Sequence, residues 1–76
     1  MLSIHVNAVV RLTVDVADLQ LRCGDEGVVV GVWVSPGDFD FEVEFRKSSK
    51  FPAVRAMLRA EQLEVIGSQL PRLAKE

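Results

Sequence analysis

The sequence predicts an all-β fold, a small five-stranded barrel with one short helical turn before the last strand, and three observations carry that expectation. Thirteen valines against eight leucines in 76 residues favour strands, because a branched Cβ is stiff in a helix and packs well on a pleated surface. Apolar and polar residues alternate at Val10, Leu12, Val14 and Val16, and again at Phe39, Phe41, Val43 and Phe45, the period-two signature of a half-buried strand. Turn formers punctuate these runs, as Cys-Gly-Asp-Glu-Gly at 23–27 and Ser-Pro-Gly-Asp at 35–38, where glycine supplies positive φ and proline presets a turn. A chain of this length holds a single hydrophobic core.

The elements follow in order. Residues 10–16 form the first strand. Residues 18–22 are too polar and too few for an element of their own, and the loop is expected to press Leu19 and Leu21 onto one end of the core. Gly24 and Gly27 are the expected positive-φ positions around a tight turn at Asp25 and Glu26. Residues 28–34 are apolar on both sides, which predicts a central strand or a subunit contact. Strand parity would place Val28, Val30, Val32 and Val34 in the core and Val29, Gly31 and Trp33 on the other face. Gly31 marks a bend of the kind that curls a short sheet.

Pro36 and Gly37 turn the chain into residues 39–46, which send Phe39, Phe41, Val43 and Phe45 inward. Residues 47–50 are a polar loop, and Phe51-Pro52 restarts the chain. Residues 53–66 are rich in helix formers, yet Val54, Ala56 and Leu58 alternate with Arg55, Met57 and Arg59. A barrel begun by three strands needs closing, so the expectation is a strand at 53–58, one helical turn at 59–62 and a short strand at 63–66. That hairpin would set Glu44 opposite Arg55 and Asp40 opposite Arg59. The organisation is then an N-terminal segment at 1–7 with room for an extra strand, a barrel at 8–66 and a tail at 67–76.

The run Val10-x-Leu12, Asp18-Leu19, Leu21-x-x-Gly24-Asp25-x-Gly27-x-Val29-Val30, then Phe41-Glu42-Val43-Glu44-Phe45 and Leu58-x-Ala60-x-Gln62-Leu63 resembles an uncharacterised family of small bacterial SH3-like barrel proteins, a domain of unknown function. The resemblance spans about residues 8–66. Its more specific parts are the Glu-Val-Glu-Phe strand and the Ala-x-Gln-Leu turn, whereas the Gly-x-x-Gly-x-Val turn is shared with KOW domains and other SH3-like barrels. The loop 46–52 lacks the Asp and Gly expected after the Glu-Val-Glu-Phe strand, and residues 1–7 lie outside the pattern. The resemblance implies an SH3-like barrel and brings no activity with it.

A net charge of −2 and a pI near 5.3 argue against a phosphate backbone as the main partner, since that affinity comes from clustered Lys and Arg. One Cys forms no intramolecular disulfide, and there is neither a leader-like segment nor an 18-residue apolar run. The expectation is a cytoplasmic protein without a membrane partner. With one His, one Cys and no Tyr, no metal, cofactor, small-molecule substrate or enzymatic activity is expected. His5 reads as structural, and Cys23, beside Asp25 and Glu26, as an unreactive thiol.

The row Asp38, Asp40, Glu42 and Glu44 reads as a solvated face that suppresses aggregation, or as a docking face for a basic partner. Val9, Val29 and Trp33 cannot enter the same core as Val10, Val28 and Val30, and together they form the expected protein interface, with Trp33 as its anchor or as a cover for one end of the barrel. The first functional expectation is a non-enzymatic interaction module that self-associates through that face, with a larger bacterial protein as a further partner. The second is KOW-like nucleic-acid binding through the basic loop of Arg46, Lys47 and Lys50, although Arg55 and Arg59 should already pair with the acidic strand. A third, an accessory resembling the SH3-like subunits that dock ferredoxin, ranks last because such docking uses a basic face.

Overall fold

The computed structural model describes residues 4–46 and 53–68. Five strands, β1 (Ala8–Leu12), β2 (Glu26–Ser35), β3 (Asp38–Phe45), β4 (Val54–Leu58) and β5 (Leu63–Ser68), form one antiparallel sheet in the order β4-β3-β2-β1-β5. The fold is all-β as the alternation implies, with two short 3-10 turns at Ala17–Leu19 and Ala60–Gln62. Among the described residues the expected barrel closure is absent from the ladder, because β4 and β5 are the two edges of the sheet. Among the described residues no helix is long and apolar enough to cross a membrane.

All five strands contribute to one core: Ala8, Val10, Leu12, Val29, Phe41, Val43, Phe45, Ala56, Leu58 and Leu63, joined by Leu21 from the loop after β1. No second sheet or long helix lies under these side chains among the described residues, so the sheet must curl around its own apolar face to bury them. Ile4 and Val16 also pack against the core. Ile4 precedes a turn in which Ala8 N–H donates to the His5 carbonyl at 2.9 Å, and Asn7 takes φ 77° there, a conformation that asparagine tolerates.

β1 stops at Leu12 because hydrogen bonds turn the chain there. Leu12 N–H donates to the Asp25 carbonyl, Gly24 N–H donates to the Leu12 carbonyl at 2.8 Å, and Thr13 N–H donates to the Gln62 carbonyl. The expected strand at 10–16 is therefore cut short, and Val14 lies at the surface. Val16 meets Leu21 across an isolated bridge, which folds Leu21 into the core. Leu19, expected beside it, is exposed. Two carboxylates brace this loop: Asp15 accepts from Cys23 N–H at 2.8 Å, and Asp25 accepts from Arg22 N–H at 2.9 Å.

Gly24 has the expected positive φ of 97°, but Gly27 does not. Gly27 lies inside β2 facing Phe45, where the requirement is space. A Cβ there would stand 2.7 Å from the Glu44 carbonyl oxygen and 2.8 Å from both Phe45 Cδ1 and Val43 Cγ1.

The C-terminal half follows the sequence expectation closely. β4, the turn and β5 replace the long helix that propensity alone would favour, although β5 runs on to Ser68. Gln62 explains the Ala-x-Gln-Leu turn. Its side-chain oxygen accepts from Arg59 N–H at 2.8 Å, its own N–H donates to the Arg59 carbonyl, and its carbonyl accepts from Thr13. One side chain thereby closes the turn and ties it to the end of β1.

Candidate interaction surface

The candidate surface is created by a bulge in β2. Val29 pairs with Val43, and the next pair is Gly31 with Glu42, which leaves Val30 as the extra residue. A one-residue insertion reverses which alternate residues face the core. Before it, Gly27 and Val29 point inward, and after it Val32 and Val34 do so, opposite Phe41 and Phe39. The expected parity is thus wrong for the first half of β2. Val29 is fully buried, while Val28 and Val30 are half-buried on the outer side.

The expected interface of Val9, Val29 and Trp33 therefore does not exist as one face. Val29 belongs to the core, and Val9 is half-buried beside Val28 on the outer side. Trp33, 56% exposed, lies at the far end of β2. What the structure assembles around Trp33 is different. β1 accompanies β2 only over Glu26 to Val28, with one further bond from Asn7 N–H to the Val29 carbonyl at 2.8 Å. β4 accompanies β3 only as far as Phe41, opposite Leu58. Residues 30–35 and 38–40 consequently form a two-stranded arm that extends past its neighbours, turned by Pro36 and by Gly37 at φ 81°.

Large apolar side chains stand on both faces of this arm. On the side continuous with the core, Val34 is 73% exposed and Phe39 50% exposed, facing one another across the ladder. Phe39, expected in the core, is instead held by stacking on Phe41, with ring centroids 6.5 Å apart. On the outer side, the Trp33 indole N–H donates to Glu42 Oε1 at 3.4 Å, and the ring edge lies over Gly31, where a Cβ would come within 3.3 Å of Nε1. Met57, opposite Glu42 on β4, is exposed nearby.

The charged row is largely self-neutralised at its β4 side. Arg55 lies 3.6 Å from Glu42 and 3.8 Å from Glu44, in the register expected for Glu44 and Arg55. Arg59 pairs with Asp38 at 3.1 Å and not with Asp40, because the β3–β4 ladder ends at Leu58 and the chain turns away there. Arg11 pairs with Glu64 at 3.3 Å. Such exposed pairs stabilise by about 0.2–1 kcal/mol each. Of the basic loop, Arg46 is exposed at the end of β3, and Lys47 and Lys50 lie outside the described residues.

Among the described residues no three His, Cys, Asp or Glu side chains converge on a point where a metal ion would sit. Cys23 is exposed, and the His5 ring bonds the adjacent Val6 carbonyl at 2.8 Å. Residues 6–65 match the sequence model of a family described as a domain of unknown function (DUF4926). No curated protein and no solved structure matches the chain.

Proposed function

The chain belongs to the DUF4926 family, a membership that carries no activity, and from that premise we propose that it is a non-enzymatic interaction module that associates with its own copies through the β2–β3 arm. The observation that carries the reading is the exposure of Trp33, Val34 and Phe39 on one projecting hairpin. Monomers rarely leave grouped large apolar side chains in water, and Trp is the residue type most enriched among interface anchors. Size supports it too, since a chain of 76 residues buries a modest core and gains stability from association. The carboxylates of the outer row are all half-buried, and Asp38, Glu42 and Glu44 are each engaged by an arginine, an arrangement that suits a structural surface better than an acid–base pair with unlike surroundings.

The long loop after β1, the Gly24 turn before β2 and the 3-10 turn before β5 support an SH3-like barrel whose β4–β5 seam is left unpaired. The exposed lone thiol of Cys23 suits a reduced compartment such as the cytoplasm. Nucleic-acid binding through Arg46, Lys47 and Lys50 is the weaker reading, because Arg11, Arg55 and Arg59 are already engaged by carboxylates.

Light scattering tests the proposal. Wild type is expected to give the mass of a dimer or larger at high micromolar concentration. Trp33→Asp should give a folded monomer, since truncating an anchor commonly costs about 2 kcal/mol or more of binding. Wild type that stays monomeric throughout, or a Trp33→Asp variant that associates equally well, overturns it.

A further inference from the structure

We infer that the copies join edge to edge, β2 against β2 of a second copy, antiparallel about a twofold axis, so that two five-stranded sheets become one of ten strands. This rests on the reading that the arm self-associates, and it states how. Along residues 30–35 the backbone on the side away from β3 meets no strand among the described residues. Folded proteins usually guard such an edge with lysine, proline or an inward charge. The segment Val-Gly-Val-Trp-Val-Ser carries none of these; its one irregularity is the bulge at Val30, at the end nearest β1, and Pro36 comes only in the turn. A short uncharged run of β-branched and aromatic residues is the kind that accepts an added strand.

Charge and length select a second copy as the occupant. Each copy carries a net charge of −2, and its outer side displays the ion pairs of Arg55 with Glu42 and Glu44 and of Arg59 with Asp38, so face-to-face stacking of the outer sides would have to desolvate those charges. The sheet's outermost strands, β4 and β5, carry Arg55 and Glu64. Residues 30–35 are the strand edge on which two copies meet without a charged side chain on either. The free edge runs from the end of the β1 ladder to the hairpin turn, six residues or about 20 Å at roughly 3.3 Å per residue. Two antiparallel edges of equal length fit one another, each hairpin turn arriving where the other copy's β1 begins. A twofold perpendicular to the sheet makes the contact isologous.

Symmetry restricts the register. Facing residues of an antiparallel pair share one side of the sheet, and the twofold preserves that side. A residue can therefore face only a residue of its own parity, which centres the contact on Val32 or on Trp33. That residue meets its own twin with Cα atoms about 4.5–5.5 Å apart, within the roughly 4.4–6.8 Å that a disulfide spans.

The test uses Cys23→Ser protein carrying Val32→Cys, Trp33→Cys or, as a control on β4, Met57→Cys. Mild oxidation should link one of the first two into covalent dimers and leave the control monomeric on denaturing gels. Hydrogen exchange of wild type should show amide protection at 30–35 rising with concentration, which decides the matter if a cysteine itself weakens the dimer. Wild type that associates by mass while Met57→Cys links, or while exchange at 30–35 stays constant, overturns edge pairing and leaves self-association standing. Wild type that is monomeric at high micromolar concentration overturns both.

Discussion

Phe45→Ala is expected to remove a large share of the stability of the fold, and all of it if the domain lies at the low end of the range for its size. Phe45 is 1% exposed, the largest of the fully buried side chains, and its ring fills the space above Gly27 between β2 and β4. Deleting a buried phenylalanine removes its transfer energy and leaves a cavity, together about 3–5 kcal/mol. At roughly 0.05–0.15 kcal/mol per residue, a domain of this size has only about 4–11 kcal/mol in hand. Urea titration followed by circular dichroism measures the loss, and with a slope of about 1 kcal/mol/M the midpoint should fall by about 3 M or vanish. Phe39→Ala is the internal comparison. Half of that ring is already in water, so its removal should cost the monomer far less, although the two phenylalanines are equivalent in the sequence pattern.

Gly27→Ala is expected to be the most damaging single-methyl addition. The nearest atom to the new Cβ, at 2.7 Å, is a backbone carbonyl oxygen of β3, and the other two belong to buried core side chains. Nothing there is the free end of a flexible chain. Relief requires β2 and β3 to separate at the centre of the sheet, and overpacking of this kind costs about 1–3 kcal/mol or more. The greater strand preference of alanine returns at most about 0.5–1 kcal/mol, so sterics decide the sign. Gly67→Ala provides the contrast, because its Cβ would meet only Val9 Cβ at an ordinary 3.9 Å. That variant should be neutral or slightly stabilised, by about 0.4–1 kcal/mol at most. Equal midpoints for the two alanine variants would contradict the account of Gly27.

The contrast between Phe45 and Phe39 also shows what the sequence could and could not disclose. Alternation located β3 and its inward side correctly, because every residue from Phe41 to Phe45 has a partner strand on both flanks. It could not disclose that the arm outruns β1 and β4, since those ends are set by turns outside β2 and β3, the one in which Ala8 N–H donates to the His5 carbonyl and the one that Gln62 closes on Arg59. β4, the 3-10 turn and β5 were legible against helix propensity because Ala53 to Leu58 kept a period of two. Val29 parts from Val9 and Trp33 for one physical reason. A run of valines interrupted only by Gly31 and Trp33 gives the same apolar pattern on both faces, so nothing in it marks Val30 as the bulged residue, and the parity of everything before it inverts. Gly31 signalled the bend but not which side of it would be buried.

The emission of Trp33 tests the central claim most directly, because it is the single Trp of the chain and lies on the arm itself. Association through the arm takes an indole that is 56% exposed out of water. The account predicts an emission maximum that moves to shorter wavelength as concentration rises from low to high micromolar, in step with the increase in mass. An emission maximum that stays at the position of a solvated indole across that range, whatever the mass, would contradict it.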